Sequence, residues 1–376
     1  MRRNDLYDNF RNKITRLAAE GKYNSLSEEE ADLLVDELLN CLPTGGKFYK
    51  YRNFKDENNA FEHTFDSLSQ GYIWLASPDT MNDKVDTSLQ LNPKSDAVEL
   101  RQYLYANRER LLIKWLEILF YSLKLNLSLT DEDKILIIKC FTSQGRAIKS
   151  KIREVLKRYD VPVNMTEYAI KCVSDFVEKY SCGYEEQIEK IVRDTMNINI
   201  DMRTKYRMFC VAESPRIESM WAYYGDESRG FCIEYDYNKI RSLPLNLKLI
   251  MLNLFEVKYV KKKKRFSFNN MYEIMLNSAF MGVEVGVENR FEINSLINEQ
   301  MTQKDISWKH EQEWRILLDT ELHRLNIDLV SAIYIDNDMV DTEKGKRLLE
   351  LAKQKGWKIY RRRLNSAACG FLFENC

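Results

Sequence analysis

The stretch KDISWKHEQEWRILL, residues 304–318, combines a strand-like apolar pattern in its second half with two closely spaced carboxylates. Alternate residues of a β-strand point to the same face, so we expect Glu311 and Glu313 to face one site. Trp314 and His310 are then expected to face the other way. Two carboxylates on one face repel each other unless a cation or a substrate lies between them. The segment is therefore a candidate functional site.

Strand patterns occur on both sides of a long, charged and periodic region that has the character of helices. A strand is predicted at residues 313–318 of the opening stretch, and further strands are predicted at residues 47–52, 71–76, 206–212, 231–235, 256–260, 329–335 and 357–360. The predicted fold class is α+β, with a mixed or antiparallel sheet core that is interrupted by a helical insertion and preceded by N-terminal helices. Four divisions are predicted. Residues 1–43 form a helical appendage, residues 44–94 the first part of the core, residues 95–205 the insertion lobe and residues 206–376 the second part of the core.

Composition narrows the classes of function. Lys plus Arg equals Asp plus Glu at 57 each, so the chain has no overall basic coat for nucleic acid, although a local patch is compatible with it. Eight scattered Cys without a C-x-x-C pair, and only three His, argue against a zinc site, so no metal is expected. The chain starts without an apolar signal core and has no apolar run of membrane-spanning length. We therefore expect a cytoplasmic protein that does not enter membranes.

Four local patterns follow one another in a fixed order. They are YKYR, LASPDTMND, SMWAYYGDESRGFCIEY and the Lys304 segment, which begin at residues 49, 75, 219 and 304. This set resembles the bacterial family catalogued as domain of unknown function 2971, over roughly residues 47–92 and 206–335. One departure is that Lys84-Val85-Asp86 follows Asn82-Asp83 where the family usually has Pro and then an apolar or acidic residue. We expect that loop to differ in shape.

A second resemblance is to ADP-ribosyltransferases, some of which carry an Arg on the first core strand, a Ser on a middle strand and a late Glu-x-Glu. The matching positions are Arg52, a Ser-containing segment around residues 214–219 that ends at Ser219, and the pair Glu311 and Glu313. The resemblance implies that NAD binds between the first strand and the Glu-x-Glu strand, with Arg52 on a phosphate. Glu313 is then expected to stabilise the positive charge that develops as nicotinamide leaves, and Glu311 to orient or deprotonate the acceptor.

Other residues are candidates for the same ligand, each with a structural alternative. Trp221 and Tyr224 lie three residues apart on a predicted helix, so they share one face of it. Two roles are open for this face: the rings stack on a ring of the ligand, or they pack in the core. Tyr51 precedes Arg52 on the first strand and is assigned to the same binding site. Asn82 and Asp83 contact a ribose or a metal, or cap a helix. The structural alternatives for the charged candidates are salt bridges, from Arg52 to Glu313 or Asp83 and from Arg315 to Glu313.

A run of five cations follows one predicted strand, with two Phe beside it. Its members are Lys261, Lys262, Lys263, Lys264 and Arg265. In one interpretation the cations bind phosphates and the two Phe stack on bases. In the other the run is a solvated turn. Residues 361–363, all Arg, form a second basic patch with the same two interpretations.

The first functional hypothesis is therefore an ADP-ribosyltransferase-like enzyme that transfers ADP-ribose from NAD to a nucleic acid or a protein, or hydrolyses NAD. Its expected setting is a bacterial toxin or antiphage effector. The alternative is a non-catalytic module that senses a nucleotide or nucleic acid, whose helical lobe binds a partner protein or a second copy. The third is a metal-dependent nuclease that uses Asp83, Glu311 and Glu313.

Overall fold

The computed structural model describes residues 3–80, 93–107, 127, 129–142, 147–181, 206–263, 269, 287–365 and 370–375. The chain divides into two compact units. The first unit comprises residues 1–89, 202–264 and 294–376, and the second comprises residues 90–201 and 265–293. Within the described ranges, no helix combines the length and the apolar character needed to cross a membrane.

The first unit is built on an eight-stranded sheet and two short ribbons. The strands are β1 (Lys47–Arg52), β2 (Ile73–Trp74), β3 (Tyr206–Ala212), β4 (Phe231–Asp236), β5 (Leu254–Glu256), β6 (Lys258–Val260), β7 (Gln303–Asp305), β8 (Glu313–Asp319), β9 (Arg324–Leu325), β10 (Val330–Asp336), β11 (Lys358–Asn365) and β12 (Gly370–Asn375). The order across the sheet is β12-β11-β10-β4-β1-β3-β8-β5, and the ribbons are β2-β9 and β6-β7.

The helices of the described ranges are α1 (Arg3–Ala19), α2 (Glu28–Cys41), α3 (Ala60–Gln70), α4 (Pro93–Ala106), α5 (Asp131–Thr142), α6 (Ala147–Arg158), α7 (Val163–Ser181), α8 (Glu218–Tyr224), α9 (Leu245–Met251), α10 (Val287–Thr302) and α11 (Glu343–Gln354). Helix α11 connects β10 to β11, which is the kind of crossover that a parallel pair requires. The other neighbouring strands described in the large sheet are antiparallel. The predicted α+β class with a mixed sheet, a helical insertion and N-terminal helices is confirmed.

The two N-terminal helices share the main core with the sheet. Ser27 and Glu30 form the predicted capping box at the start of α2. On α1, Tyr7 lies edge-on to Trp314 of β8 at 5.1 Å between ring centroids, and its hydroxyl donates to the Leu254 carbonyl at 2.9 Å. Both helices thereby cover one face of the sheet.

The second unit has its own apolar core in the described helices. Ile152, Val155 and Leu156 of α6 are fully buried at helical spacing, together with Ala169 and Ile170 of α7. Regular spacing of this kind gives a helix one apolar face, which the neighbouring helix covers.

The large sheet opens between β1 and β3. These strands pair at Tyr49 and Ala212, and the chain after β2 instead bridges β3, through Ala76 and Met208. Lys50 reaches across, and its Nζ donates to the Cys210 carbonyl at 2.7 Å. Among the described residues, β1 thus pairs at six positions with β4 and at one position with β3.

Candidate active site

Glu311 and Glu313 lie on two different elements. Glu311 ends a 3-10 turn that starts at Ile306, and Glu313 is the first residue of β8. Gln312 between them is in the left-handed region, with φ 47°. The expectation of one continuous strand through both Glu is therefore wrong. The left-handed residue turns the chain, and both carboxylates nevertheless meet the same lysine.

That lysine is Lys304, whose Nζ donates to Oε2 of Glu311 at 2.5 Å and to Oε2 of Glu313 at 3.0 Å. Arg315 also holds Glu313, with Nε 2.8 Å from Oε1 and Nη2 2.9 Å from Oε2. We call these four side chains the charge cluster. All are buried, with exposed fractions between 0% and 7%. Two positive and two negative charges balance, which is the condition for keeping such groups out of water.

The two carboxylates have pKa values that move in opposite directions. Burial raises the pKa of Glu311, an effect that the charge of Lys304 only partly offsets. Burial also acts on Glu313, but Arg315 and Lys304 outweigh it and hold the pKa of this carboxyl well below its usual range. One carboxylate thus stays ionised while its neighbour can accept a proton, a division that is typical of acid–base pairs.

The charge cluster borders a cavity of ≈ 250 Å³, which we call the Glu313 cavity. Its wall includes residues 49–52 of β1, Cys210 of β3, Tyr224 and Trp308. A larger space of ≈ 660 Å³, the Arg52 cavity, shares four wall residues with it and therefore adjoins it. The shared residues are Tyr51, Arg52, Trp74 and Tyr224.

Two cations of β1 line these cavities. Arg52 borders both, and within the described residues no carboxylate forms an ion pair with it. Its Nη1 donates to the Tyr51 carbonyl, at 3.4 Å. The predicted alternative of a salt bridge to Glu313 is not found, because Arg315 and Lys304 hold that carboxylate. Arg52 and Glu313 nevertheless line one cavity.

Lys50 carries a pH dependence that can be measured. Burial lowers the pKa of Lys50 to about 7, whereas 10.5 is the ordinary value. Between those two pH values the unfolded chain binds the additional proton, so stability rises with pH. The unfolding free energy of the wild type, relative to Lys50→Met, is expected to increase by about 3 kcal/mol from pH 7 to pH 9.5. Urea denaturation at several pH values measures it, and a difference independent of pH would contradict the shifted pKa.

The predicted aromatic pair divides between the cavity and the core. Tyr224 lines both cavities, and its hydroxyl donates to Oε1 of Glu311 at 2.9 Å. Trp221 is fully buried, donates through Nε1 to the Pro215 carbonyl at 2.8 Å and packs edge-on against Tyr51. It is a core residue and is absent from the walls of both cavities. Ser219 is half-buried and likewise outside these walls.

The remaining predicted residues lie elsewhere. Asn82, Asp83, Lys264 and Arg265 fall outside the described residues. Of the basic run, Lys261 and Lys262 are exposed and Lys263 is half-buried, just after β6.

The second basic patch is not a patch. Arg362 is buried, donates to Asp336 at 3.1 Å and to Glu218 at 2.5 Å, and lies over the Trp221 ring. Arg363 forms an ion pair with Glu374 at 3.1 Å. Arg362 and Arg363 therefore already form ion pairs with carboxylates of the protein itself.

Sequence reasoning gave no role to several residues that build the site. Lys304 was part of the quoted stretch without a function, and Cys210 and Trp308 were not candidates, while Tyr259 was expected either to line the pocket or to pack in the core or at a sheet edge. Tyr259 accepts a hydrogen bond from the Glu313 amide at 2.7 Å, and Lys304 lies 5.1 Å from the Trp308 ring centroid. The sequence could have indicated the role of Lys304, because two neighbouring carboxylates need a cation and Lys304 lies only a few residues before them.

Comparison with known proteins gives one family. Residues 220–316 match the model of a family described as "Protein of unknown function (DUF2971)". No curated protein and no solved structure matches the chain. The matched range contains the whole charge cluster and most of α8. The resemblance to domain of unknown function 2971 is therefore confirmed for residues 220–316.

Proposed function

We propose that the protein cleaves the glycosidic bond of NAD and transfers ADP-ribose to a nucleic acid, a protein or water, as ADP-ribosyltransferases do. The observation that carries this proposal is the composition of the Glu313 cavity. Arg52 contributes a cation and Lys50 an amine from β1, and Glu311 and Glu313 contribute carboxylates to the same wall. A phosphate-bearing substrate with a departing base needs both kinds of group.

The residues fit the phosphates of such a substrate. Arg52 has five donors in a planar fork, and no carboxylate of the described residues occupies them. The adjoining Arg52 cavity of ≈ 660 Å³ lies in the size range of small-molecule sites. Tyr51, Tyr72, Trp74 and Tyr223 add aromatic surface to its wall, on which a base can stack.

The carboxylates divide the chemical work. NAD supplies a ribose–nicotinamide bond whose electron pair leaves with nicotinamide. Glu313, which stays ionised, stabilises the positive charge left on the ribose. Glu311, with its raised pKa, accepts the proton of the acceptor hydroxyl as the new bond forms, and later releases it to solvent.

One observation favours a non-catalytic module instead. The charge cluster is electrically balanced without any ligand, because Lys304 and Arg315 compensate both carboxylates. In a module that binds a nucleotide through Arg52, the charge cluster would only have to form a rigid part of the cavity wall.

The test is to incubate the purified protein with NAD, with and without nucleic acid and cell lysate, and to measure released nicotinamide by chromatography. Glu313→Gln is expected to reduce the release by about 100-fold, because a charge-stabilising group is lost. Thermal unfolding checks that this variant is folded, and calorimetry checks that it still binds NAD.

The matched control is Glu37→Gln, which removes an exposed carboxylate on α2, outside the walls of both cavities. Its activity should equal that of the wild type. NAD binding without release under any condition would support the binding module, and neither binding nor release would overturn both readings of the cavity. The biological setting that we propose is a bacterial toxin or antiphage effector.

A further inference from the structure

A third cavity of ≈ 470 Å³ lies at the other end of β8 from Glu313. We call it the Arg11 cavity. Its wall is formed by α1, the Tyr23 turn, α9, the second half of α10 and the ends of β3 and β8. It shares no wall residue with the Glu313 cavity or the Arg52 cavity. Nothing in the proposed NAD chemistry uses it.

Arg11 is the cation of this cavity. Its Nη1 donates to the Leu252 carbonyl at 2.7 Å, and its guanidinium lies 3.7 Å from the centroid of the Phe255 ring. Its Nε is buried and has no hydrogen-bond partner. Among the described residues, no carboxylate forms an ion pair with it. The side chain as a whole is half-buried, and without an ion pair its positive charge is available to a ligand in the cavity.

The rest of the wall is mainly neutral. Asn294 and Asn298 lie four residues apart on α10, so their amides lie on one side of the helix. Burial raises the pKa of Tyr206 to about 12, so its phenol stays protonated near neutral pH. Asp319 is the one acidic residue of the wall as described, and it is exposed, so water screens its charge.

Apolar side chains complete the cavity. Ile14 and Ala18 come from α1, Ile297 from α10, and Leu317 from β8. One unpaired cation matches a single negative charge, and the apolar surface matches a hydrocarbon or ring.

We infer that the Arg11 cavity binds a small amphipathic carboxylate, with the carboxylate on the Arg11 guanidinium and the apolar part against Ile14 and Ile297. The guanidinium N–H groups of Nη1 and Nη2 that are not engaged by the Leu252 carbonyl can donate to such a group. Because the side chain of Arg11 as a whole is only half-buried, a ligand can reach it. This site is independent of the NAD proposal and is tested separately.

The test uses octanoate as the probe and octan-1-ol as its uncharged counterpart, with binding measured by calorimetry on the full chain. Octanoate is expected to bind one to one and more tightly than octan-1-ol. Arg11→Met should weaken octanoate binding by at least about 10-fold, the loss expected for a charge-assisted hydrogen bond. Binding of octan-1-ol should stay unchanged.

The matched control is Lys13→Met, which removes one positive charge from the exposed side of the same helix and should not alter octanoate binding. Should Arg11→Met fail to fold, Ala18→Phe tests the site independently, because Ala18 is an exposed wall residue whose enlargement fills the cavity. A folded Ala18→Phe variant should lose octanoate binding. The inference is overturned if octanoate binds no better than octan-1-ol, or if Lys13→Met weakens it as much as Arg11→Met.

Discussion

Replacing Lys304 with Met is expected to lower the free energy of unfolding by about 4 kcal/mol. Lys304 donates to both Glu311 and Glu313, and all three side chains are buried. Without this cation, two carboxylates share the single positive charge of Arg315. A buried charge without compensation is among the most destabilising changes that a point substitution makes. Urea denaturation at pH 7 measures the loss.

The companion experiment restores the balance of charge. Glu311→Gln in the Lys304→Met protein leaves the bidentate pair of Arg315 and Glu313 intact. We expect the double variant to regain about half of the lost stability, so that the two substitutions are strongly coupled. Additive effects in this double-mutant cycle would contradict a shared charge cluster.

Lowering the pH should also restore part of the stability that the Lys304→Met protein has lost. Burial raises the pKa of Glu311, so the folded state takes up its proton at a pH where the unfolded state has not yet done so. Stability therefore increases as pH falls through the folded pKa of Glu311.

The matched control for the stability loss of Lys304→Met is Lys248→Met. Lys248 is buried, but its partners Glu28 and Asp32 are exposed and can be solvated by water when the lysine is removed. Its loss should be only about 1 kcal/mol.

Gly230→Ala is expected to cost about 3 kcal/mol, because the added methyl group has no space. A Cβ at this position would lie 2.2 Å from the Arg52 carbonyl oxygen and 2.7 Å from the Gly225 Cα. Both obstacles are backbone atoms, so the turn or the end of β1 must move. Since Arg52 sits on that end, the substitution is also expected to weaken binding in the Arg52 cavity.

The control for this variant is Gly356→Ala. Gly356 has φ +70° and open space around its Cβ position, so only the strain of a left-handed Ala applies, about 1 kcal/mol. Thermal unfolding of the two variants side by side measures the difference. If both lose equal stability, close backbone approach at Gly230 is not a constraint on the fold.

Short runs rich in apolar and aromatic residues, which alternate with polar residues in β1, predicted the main strands well. β1, β3, β4 and β8 all occur within about one residue of their expected ends, because each places apolar or aromatic side chains on a buried face. β12, at Gly370–Asn375, was not predicted, because it is a sheet-edge strand whose pairing with β11 involves half-exposed residues. The predicted strand at residues 71–76 shortens to Ile73–Trp74 in a separate ribbon.

The site was harder to predict, because its contacts join distant segments. Glu311 and Glu313 were found from their spacing, yet the left-handed Gln312 between them has no sequence signal, since Gln is not a typical residue for that conformation. Arg362 looked like a surface cation, because the sequence does not show that Glu218 and Asp336 converge on it. For Trp221 the sequence left both a ligand contact and core packing open, because helical spacing shows which residues share a face but not how deeply that face is buried.

Strand β8 joins two of the cavities described above. Glu313 begins it and Asp319 ends it, a separation of about 20 Å along an extended chain. Thermodynamic linkage requires that whatever factor a carboxylate at Arg11 applies to nucleotide affinity at Glu313, the nucleotide applies to the carboxylate in return. A titration of either ligand in the presence of the other therefore reports whether this strand transmits free energy between its ends.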